Sequence, residues 1–171
     1  MDTFNYQPIG IIHSPFKGRE GTPIQAIGAI GVRAEVEIFA EYVEGLQDLE
    51  GFSHIILLYH CHLSQTYKLK VKPFLDDVER GLFATRAPAR PNPIGMSLVR
   101  LMRIENATIY IQDIDIIDKT PLLDIKPFVP DFDVRKAERT GWLEKKAANA
   151  EKISDDGRFG DCGLPVKDGG Q

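Results

Sequence analysis

Apolar and polar residues alternate without a break over residues 32–39, with Val32, Ala34, Val36 and Ile38 on one parity and Arg33, Glu35 and Glu37 on the other. That period of two predicts a half-exposed antiparallel strand. Residues 54–63, HIILLYHCHL, are apolar on both parities and predict a central strand. Weaker strand patterns cover residues 6–13, 67–71, 82–85, 97–104, 108–117 and 122–128, with Glu105 and Asn106 forming a tight connection between two of them. Within residues 108–117 the apolar phase moves from Ile109 and Ile111 to Ile114 and Ile116, which predicts a bulge near Gln112 and Asp113. Helical spacing is short-lived: Tyr42, Leu46 and Leu49 suggest a short helix ending near Gly51, and Asp133 is a candidate N-cap for a helical run interrupted by Gly141. Short strands with Gly and Pro turns predict a mainly β fold, a small closed or nearly closed antiparallel β-barrel with short helices and a C-terminal helical arm. The barrel takes residues 1–132, the helical segment 133–153, and residues 154–171 read as a flexible tail. Neither the repeated βαβ units nor the Gly-rich first turn of a Rossmann domain is found.

One stretch breaks the strand rhythm. Residues 86–101 read RAPARPNPIGMSLVRL, and Pro88, Pro91 and Pro93 each fix φ and remove a backbone donor. The residues before them, Ala87, Arg90 and Asn92, are pushed to extended conformations. Arg86, Arg90 and Asn92 therefore stand on a loop that is largely ordered before any ligand arrives, which lowers the cost of binding.

Composition changes this picture little, but charge distribution does. A chain of 171 residues, 43% apolar and 27% charged, suits one soluble globular domain. No apolar run reaches the ~18 residues of a membrane span, and the N-terminus lacks a signal-peptide pattern, so a cytoplasmic location is expected. Cys61 and Cys162 show no CxxC spacing and imply neither a disulfide framework nor a zinc knuckle. The net charge of −4 argues against an RNA partner until it is divided along the chain. Residues 64–104 carry eight basic and three acidic side chains, a balance of +5, whereas residues 1–63 carry three basic and eight acidic, a balance of −5. Positive charge thus gathers around the proline-rich loop, as an RNA-facing surface requires.

The spelling R-x-P-x-R-P-N-P-I-G-x-S over residues 86–97 resembles the signature of the TsaA-like, or TrmO, family of S-adenosylmethionine-dependent tRNA adenosine N6-methyltransferases. PIGIIHSPF at residues 8–16, GTPIQ at 21–25, LEGFSH at 49–54, GLFATR at 81–86 and TPLLDIKPFVP at 120–130 agree with it in order. The match is to a short form without the extra C-terminal domain of larger members. The resemblance implies a barrel that dimerises, as a homodimer, to complete its sites, S-adenosyl-L-methionine as cofactor, and tRNA as partner, methylated at N6 of threonylcarbamoyladenosine beside the anticodon. By the same resemblance the cofactor contacts fall on Gln25, Ala26, Ile27, Gly28, Leu63, Ser64, Arg86, Met96, Asp113, Ile114 and Asp115. Members commonly carry glycine where this chain has Lys119.

For chemistry, Asn92 and Arg90 are the candidate catalytic residues. An exocyclic adenine nitrogen is a weak nucleophile because its lone pair conjugates with the ring. Hydrogen bonds accepted from it by the Asn92 side chain and neighbouring carbonyls return density to it. Asn92–Pro93 is comparable to the Asn/Asp-Pro-Pro-aromatic motif of unrelated amino-methyltransferases, with Ile94 in place of the second proline, an analogy only. Arg90 suits a bidentate grip on the substrate carboxylate or a phosphate. Asp118, Thr120, Asp124 and Lys126 form a second polar cluster, in which Asp124 and Lys126 read as a structural ion pair at least as readily as catalytic groups. Two rivals remain: a metal-dependent barrel enzyme using His54, His60 and His62, which share strand parity, and a noncatalytic RNA-binding barrel.

Overall fold

A computed structural model of the chain describes residues 3–144 and 146–159. Strands β1 (Gly10–His13), β2 (Arg33–Ile38), β3 (His54–His60), β6 (Ile94–Glu105), β7 (Thr108–Gln112) and β8 (Thr120–Pro127) close an antiparallel barrel in the order β1-β2-β7-β6-β3-β8. The pairing of β8 with β1 completes it, so the barrel has no free sheet edge. Strands β4 (Lys70–Val71) and β5 (Arg80–Gly81) form a separate two-stranded ribbon. The expected barrel is therefore what the chain builds.

Alternation decides which residues face in. On β2, Ala34, Val36 and Ile38 are buried while Arg33, Glu35 and Glu37 are exposed. They join Ile12, Ile55, Leu57, Val99 and Ile109 in one core. A second, smaller core of Val71, Leu82, Ala87 and Phe159 lies beneath the proline-rich loop.

Several elements differ from expectation, each for a local reason. Residues 82–85 are not a strand: Leu82–Ala84 is a 3-10 turn, closed by Thr85 N–H donating to the Leu82 carbonyl at 3.0 Å. Strand β7 stops at Gln112, and no bulge forms there. Asp113 takes a left-handed φ of 69°, and beyond it Ile114 and Ile116 are again buried in the core. The irregularity between β6 and β7 lies instead opposite Tyr110, between Leu101 and Arg103. Residues 41–49 form 3-10 turns at Ala40–Leu46 and Leu49–Gly51 instead of an α-helix. Asp133 closes a helix where it was expected to open one. α1 spans Pro130–Asp133, with Pro130 supplying the helical φ at the start, and the Asp133 carboxylate reaches back to accept the Val129 N–H at 2.7 Å. Beyond it, Gly141–Leu143 and Ala147–Lys152 are 3-10 turns. Lys119 adopts a left-handed φ of 61°, a conformation that costs a side chain about 1 kcal/mol and suits glycine.

The C-terminal segment is tied to the barrel rather than loose as far as residue 159. Asp155 N–H donates to Thr22 O at 2.7 Å, Gly21 N–H to Asp155 O at 2.9 Å, and Pro23 bridges Ser154. Asp76, buried, accepts from Arg80 Nε and Nη2 at 2.9 and 2.7 Å and from Lys146 Nζ at 2.6 Å. The Lys146 ammonium, then the Arg80 guanidinium, holds its carboxyl well below the usual carboxylate range. Phe159 packs edge-on against Phe74 with centroids 5.0 Å apart. The rest of the expected tail, residues 160–171 with Cys162, lies outside the described residues. Among the described residues no helix is long and apolar enough to cross a membrane.

Candidate active site

The proline-rich loop is held at both ends. It leaves the Leu82–Ala84 turn, whose Ala84 carbonyl accepts the Trp142 indole N–H at 2.8 Å, and it rejoins the barrel where Cys61 N–H donates to Pro93 O at 2.7 Å. Between these points small residues point in and polar ones point out. Ala87 and Ala89 are buried, Arg86 and Asn92 exposed. The Ile94 N–H donates to Asn92 O at 2.8 Å, so the backbone on both sides of Asn92 is fixed while its side chain is presented to solvent. Arg90 is half-buried and its Nη1 donates to the carbonyls of Thr85 and Ala87 at 3.0 and 3.3 Å. It thus braces the loop in addition to any contact it makes with a ligand.

Beside the loop, at the end of the barrel interior, three side chains form a chain. The Ser97 hydroxyl donates to Asp115 Oδ1 at 2.7 Å. Ser97 has one proton and the carboxylate only accepts, so the Tyr59 phenol must donate to Ser97 Oγ across 3.1 Å. Burial first, then the Asp115 charge, raises the Tyr59 phenol above its ordinary value, which keeps it a donor. Burial also raises Asp115, against the Ser97 hydrogen bond and the positive charge of Arg86. The Cys61 thiol is pushed up to about 11 by burial, against the charges of Arg19 and Arg90, and stays a neutral thiol rather than a nucleophile. The Arg86 charge faces Asp115 while those of Arg19 and Arg90 face Cys61, so this end of the barrel gathers positive charge around one carboxylate.

Gly95 is needed for this arrangement, because a Cβ at that position would overlap the Tyr59 ring. Gly95→Ala is expected to lower stability by about 1–3 kcal/mol and to weaken any ligand that uses Asp115. Urea denaturation and calorimetric titration read the two effects, and an alanine variant with both unchanged would refute them.

The structure brings some expected site residues together and separates others. Gln25 meets Arg86 directly, its Oε1 accepting from Arg86 Nη1 at 3.1 Å. Ala26, Ile27 and Gly28 lie on the adjoining 3-10 turn Ala26–Ala29. Gly28 is packed close to the C-terminal segment, since a Cβ there would lie 3.2 Å from Glu151 O. Leu63 and Ser64 follow β3 in a turn closed by Ser64 N–H donating to Cys61 O at 2.9 Å. Asp113 is occupied as a turn-former, accepting the Gly31 N–H at 2.7 Å, and Ile114 is wholly core. Met96 is 57% exposed on the outer face of β6, one residue before the inward-facing Ser97. Asp118 anchors the loop after β1, accepting from Ser14 N–H at 3.0 Å and Lys17 Nζ at 2.7 Å. Asp124 and Lys126 form the expected ion pair at 2.8 Å.

The histidines do not assemble into a metal site. His54 and His60 stand at opposite ends of β3, about 20 Å apart along a strand of that length. His54 Nδ1 pairs with Ser53 Oγ at 2.9 Å. Thr120 gives its one proton to Ile117 O, so the His62 Nδ1 must donate to Thr120 Oγ1 across 3.2 Å. Burial, then the neighbouring His60, lowers the His62 pKa and keeps it neutral. Among the described residues no group of three His, Cys, Asp or Glu could hold a metal ion.

Sequence reasoning missed Tyr59, Ser97 and Arg19. Parity held a signal for the first two. Tyr59 continues the inward series of Ile55 and Leu57, and Ser97 precedes the inward Val99 and Leu101. A polar group heading an apolar parity marks the mouth of a barrel.

Residues 11–134 match the family model described as tRNA-methyltransferase O N-terminal domain. A probable S-adenosyl-L-methionine-binding protein of Pyrococcus abyssi is 56% identical over 154 residues, covering 90% of this chain and 84% of that protein. The tRNA (adenine(37)-N6)-methyltransferase of Mus musculus is 40% identical over 134 residues, 74% of this chain and 31% of that protein. A crystal structure of TrmO from Pseudomonas aeruginosa superposes with a TM-score of 0.69 at 37% identity, over 82% of this chain and 63% of that one. The chain therefore spans less than two thirds of that solved structure and about a third of the mouse protein.

Proposed function

The chain belongs to the tRNA-methyltransferase O family, and on that premise we propose that it transfers the methyl group of S-adenosyl-L-methionine to N6 of the adenosine beside the anticodon of tRNA, in its threonylcarbamoyl form. The observation that carries this reading is the pinning of Asn92–Pro93 to the barrel end by the Cys61–Pro93 hydrogen bond, on the same β3–β6 pair whose Tyr59 and Ser97 hold the half-buried Asp115.

The residues fit the cofactor. Asp115 and the Gln25–Arg86 pair offer acceptors and donors suited to ribose hydroxyls and the amino-acid end, with apolar side chains such as Ile27 and Leu63 beside them. S-adenosyl-L-methionine supplies, when bound, a methyl group on a positively charged sulfur. The protein's part is positional. The Asn92 amide oxygen accepts a hydrogen bond from the amine and orients its lone pair, and Arg90, braced by two carbonyls, turns its remaining donors to the substrate carboxylate. Tyr59 and Ser97 fix the Asp115 carboxylate.

A homodimer belongs to the same proposal. Met96 faces out of the barrel while Asp115 and Ser97 face in. An exposed apolar row of Ile94, Met96, Leu98 and Met102 runs along β6, and a second copy seated on it would bring Met96 to the partner's site. A tRNA substrate implies work in the cytoplasm.

The test is incubation of purified protein with methyl-labelled S-adenosyl-L-methionine and tRNA with and without the threonylcarbamoyl group. Label in the nucleoside only when that group is present supports the full reading. Equal labelling of both removes the specific substrate, and none in either removes the activity.

A further inference from the structure

Leu82 and Phe83 are neighbours in one 3-10 turn, yet the first is 1% and the second 75% exposed. Three bonds hold the Leu82 backbone: its N–H donates to Leu69 O at 2.9 Å, and its carbonyl accepts from Thr85 N–H at 3.0 Å and Thr85 Oγ1 at 2.8 Å. Trp142 grips the carbonyl of Ala84, on the far side of Phe83. The Phe83 ring is therefore presented on a rigid support rather than on a mobile loop, and it gains no burial in return. A cation, the Arg90 guanidinium, lies 5.7 Å from its centroid. Arg90 is two residues from Asn92, roughly 7 Å of extended chain.

The ring has a charged flank. On and beside β4, Lys68 and Lys70 are exposed together with Tyr67 and Leu69, within the part of the chain whose balance is +5. An exposed aromatic ring paired with a guanidinium and flanked by lysines is the combination that holds unpaired bases along a phosphate backbone. A protein partner would use the apolar ring but has no need of the lysines.

We propose that Phe83, with Arg90, is a stacking platform for an unpaired RNA base next to the one that is methylated, and that the Tyr67–Lys70 edge guides the backbone of the same loop. The inference rests on the proposed methyl transfer to tRNA and adds the surface that grips it. Stacking is indifferent to base identity, so the platform contributes affinity and placement, while Asn92 acts on the reacting amine.

Phe83→Ala and Phe83→Trp test it. The alanine variant is expected to raise the KM for tRNA about tenfold or more, to leave kcat at saturating tRNA and the Kd for S-adenosyl-L-methionine within about twofold, and to unfold at the wild-type temperature. Tryptophan should restore the KM. An anticodon stem-loop carrying 2-aminopurine beside the target adenosine provides a second readout: its fluorescence should be quenched by wild type and by Phe83→Trp but not by Phe83→Ala. An alanine variant with wild-type KM and quenching overturns the inference. So does one whose sedimentation shifts to a smaller species as its cofactor affinity falls, because Phe83 would then be covered by a second copy of the chain. Wild-type protein that quenches the probe yet methylates no tRNA would count against the methyl transfer and not against the platform.

Discussion

Replacing Asn92 by alanine is expected to lower kcat for methyl transfer by about 100-fold or more and to leave the Kd for S-adenosyl-L-methionine within about twofold. The Asn92 side chain is exposed, so its loss opens no cavity, and the loop keeps its shape because its fixings are backbone groups. Cys61 N–H holds Pro93 O and Ile94 N–H holds Asn92 O, while Ala87 and Ala89 remain buried beneath it. What disappears is one amide positioned at the nitrogen whose charge changes during transfer. Loss of a single preorganised hydrogen-bonding group of that kind costs about 10²–10³ in rate. Single-turnover methylation with saturating cofactor, alongside calorimetric titration of the cofactor, separates the two quantities. A variant that turns over normally removes Asn92 from the chemistry; one that binds cofactor poorly makes it a ligand contact.

Asp115→Asn should move two properties in opposite directions. Affinity for the cofactor is expected to fall about tenfold or more, since a charge-assisted hydrogen bond contributes about 1.5–3 kcal/mol. Stability at neutral pH is expected to rise. Burial raises the Asp115 pKa in the folded chain above its unfolded value of about 3.9. Between those two values the folded state holds more protons than the unfolded state, so stability falls as pH climbs through the window and stays lower above it. Asparagine keeps an oxygen able to accept the Ser97 proton and does not ionise. The gap in urea midpoint between variant and wild type should therefore be small at pH 3 and largest at pH 8. A variant less stable than wild type at pH 8 would mean that the Ser97 hydrogen bond and the Arg86 charge more than offset the burial of the charge. Such a trade, in which a site residue costs the fold stability, is common where a charge is kept for binding.

These two residues illustrate different degrees of legibility. Asn92 was readable because the prolines around it restrict their own backbone and that of the residues before them, whatever surrounds them. The alternation on β2 was readable because strand parity is a property of the chain itself. The same local reasoning failed where the outcome depended on what lay opposite. Residues 82–85 have strand-like composition but turn, because the chain must leave the β4–β5 ribbon. The phase change after Ile111 comes from Asp113, a left-handed residue that pairing patterns do not reveal. Asp133 looked like the start of a helix because Val129 was not known to offer its N–H.

By itself the sequence determined that this is a mainly β barrel, that one of its loops is stiffened by prolines around an arginine and asparagine set, and that positive charge collects near that loop. Each of these follows from near-neighbour rules of φ restriction, parity and charge. Only the tertiary structure decided that Tyr59, Ser97 and Asp115 form a hydrogen-bonded chain beside that loop, that the histidines of β3 are kept apart, that Met96 faces outward, and that Phe83 stands exposed on a fixed turn. Those arrangements join residues tens of positions apart through strand register and barrel closure. Register is set by the summed burial of all the strands, which no single stretch of the chain encodes.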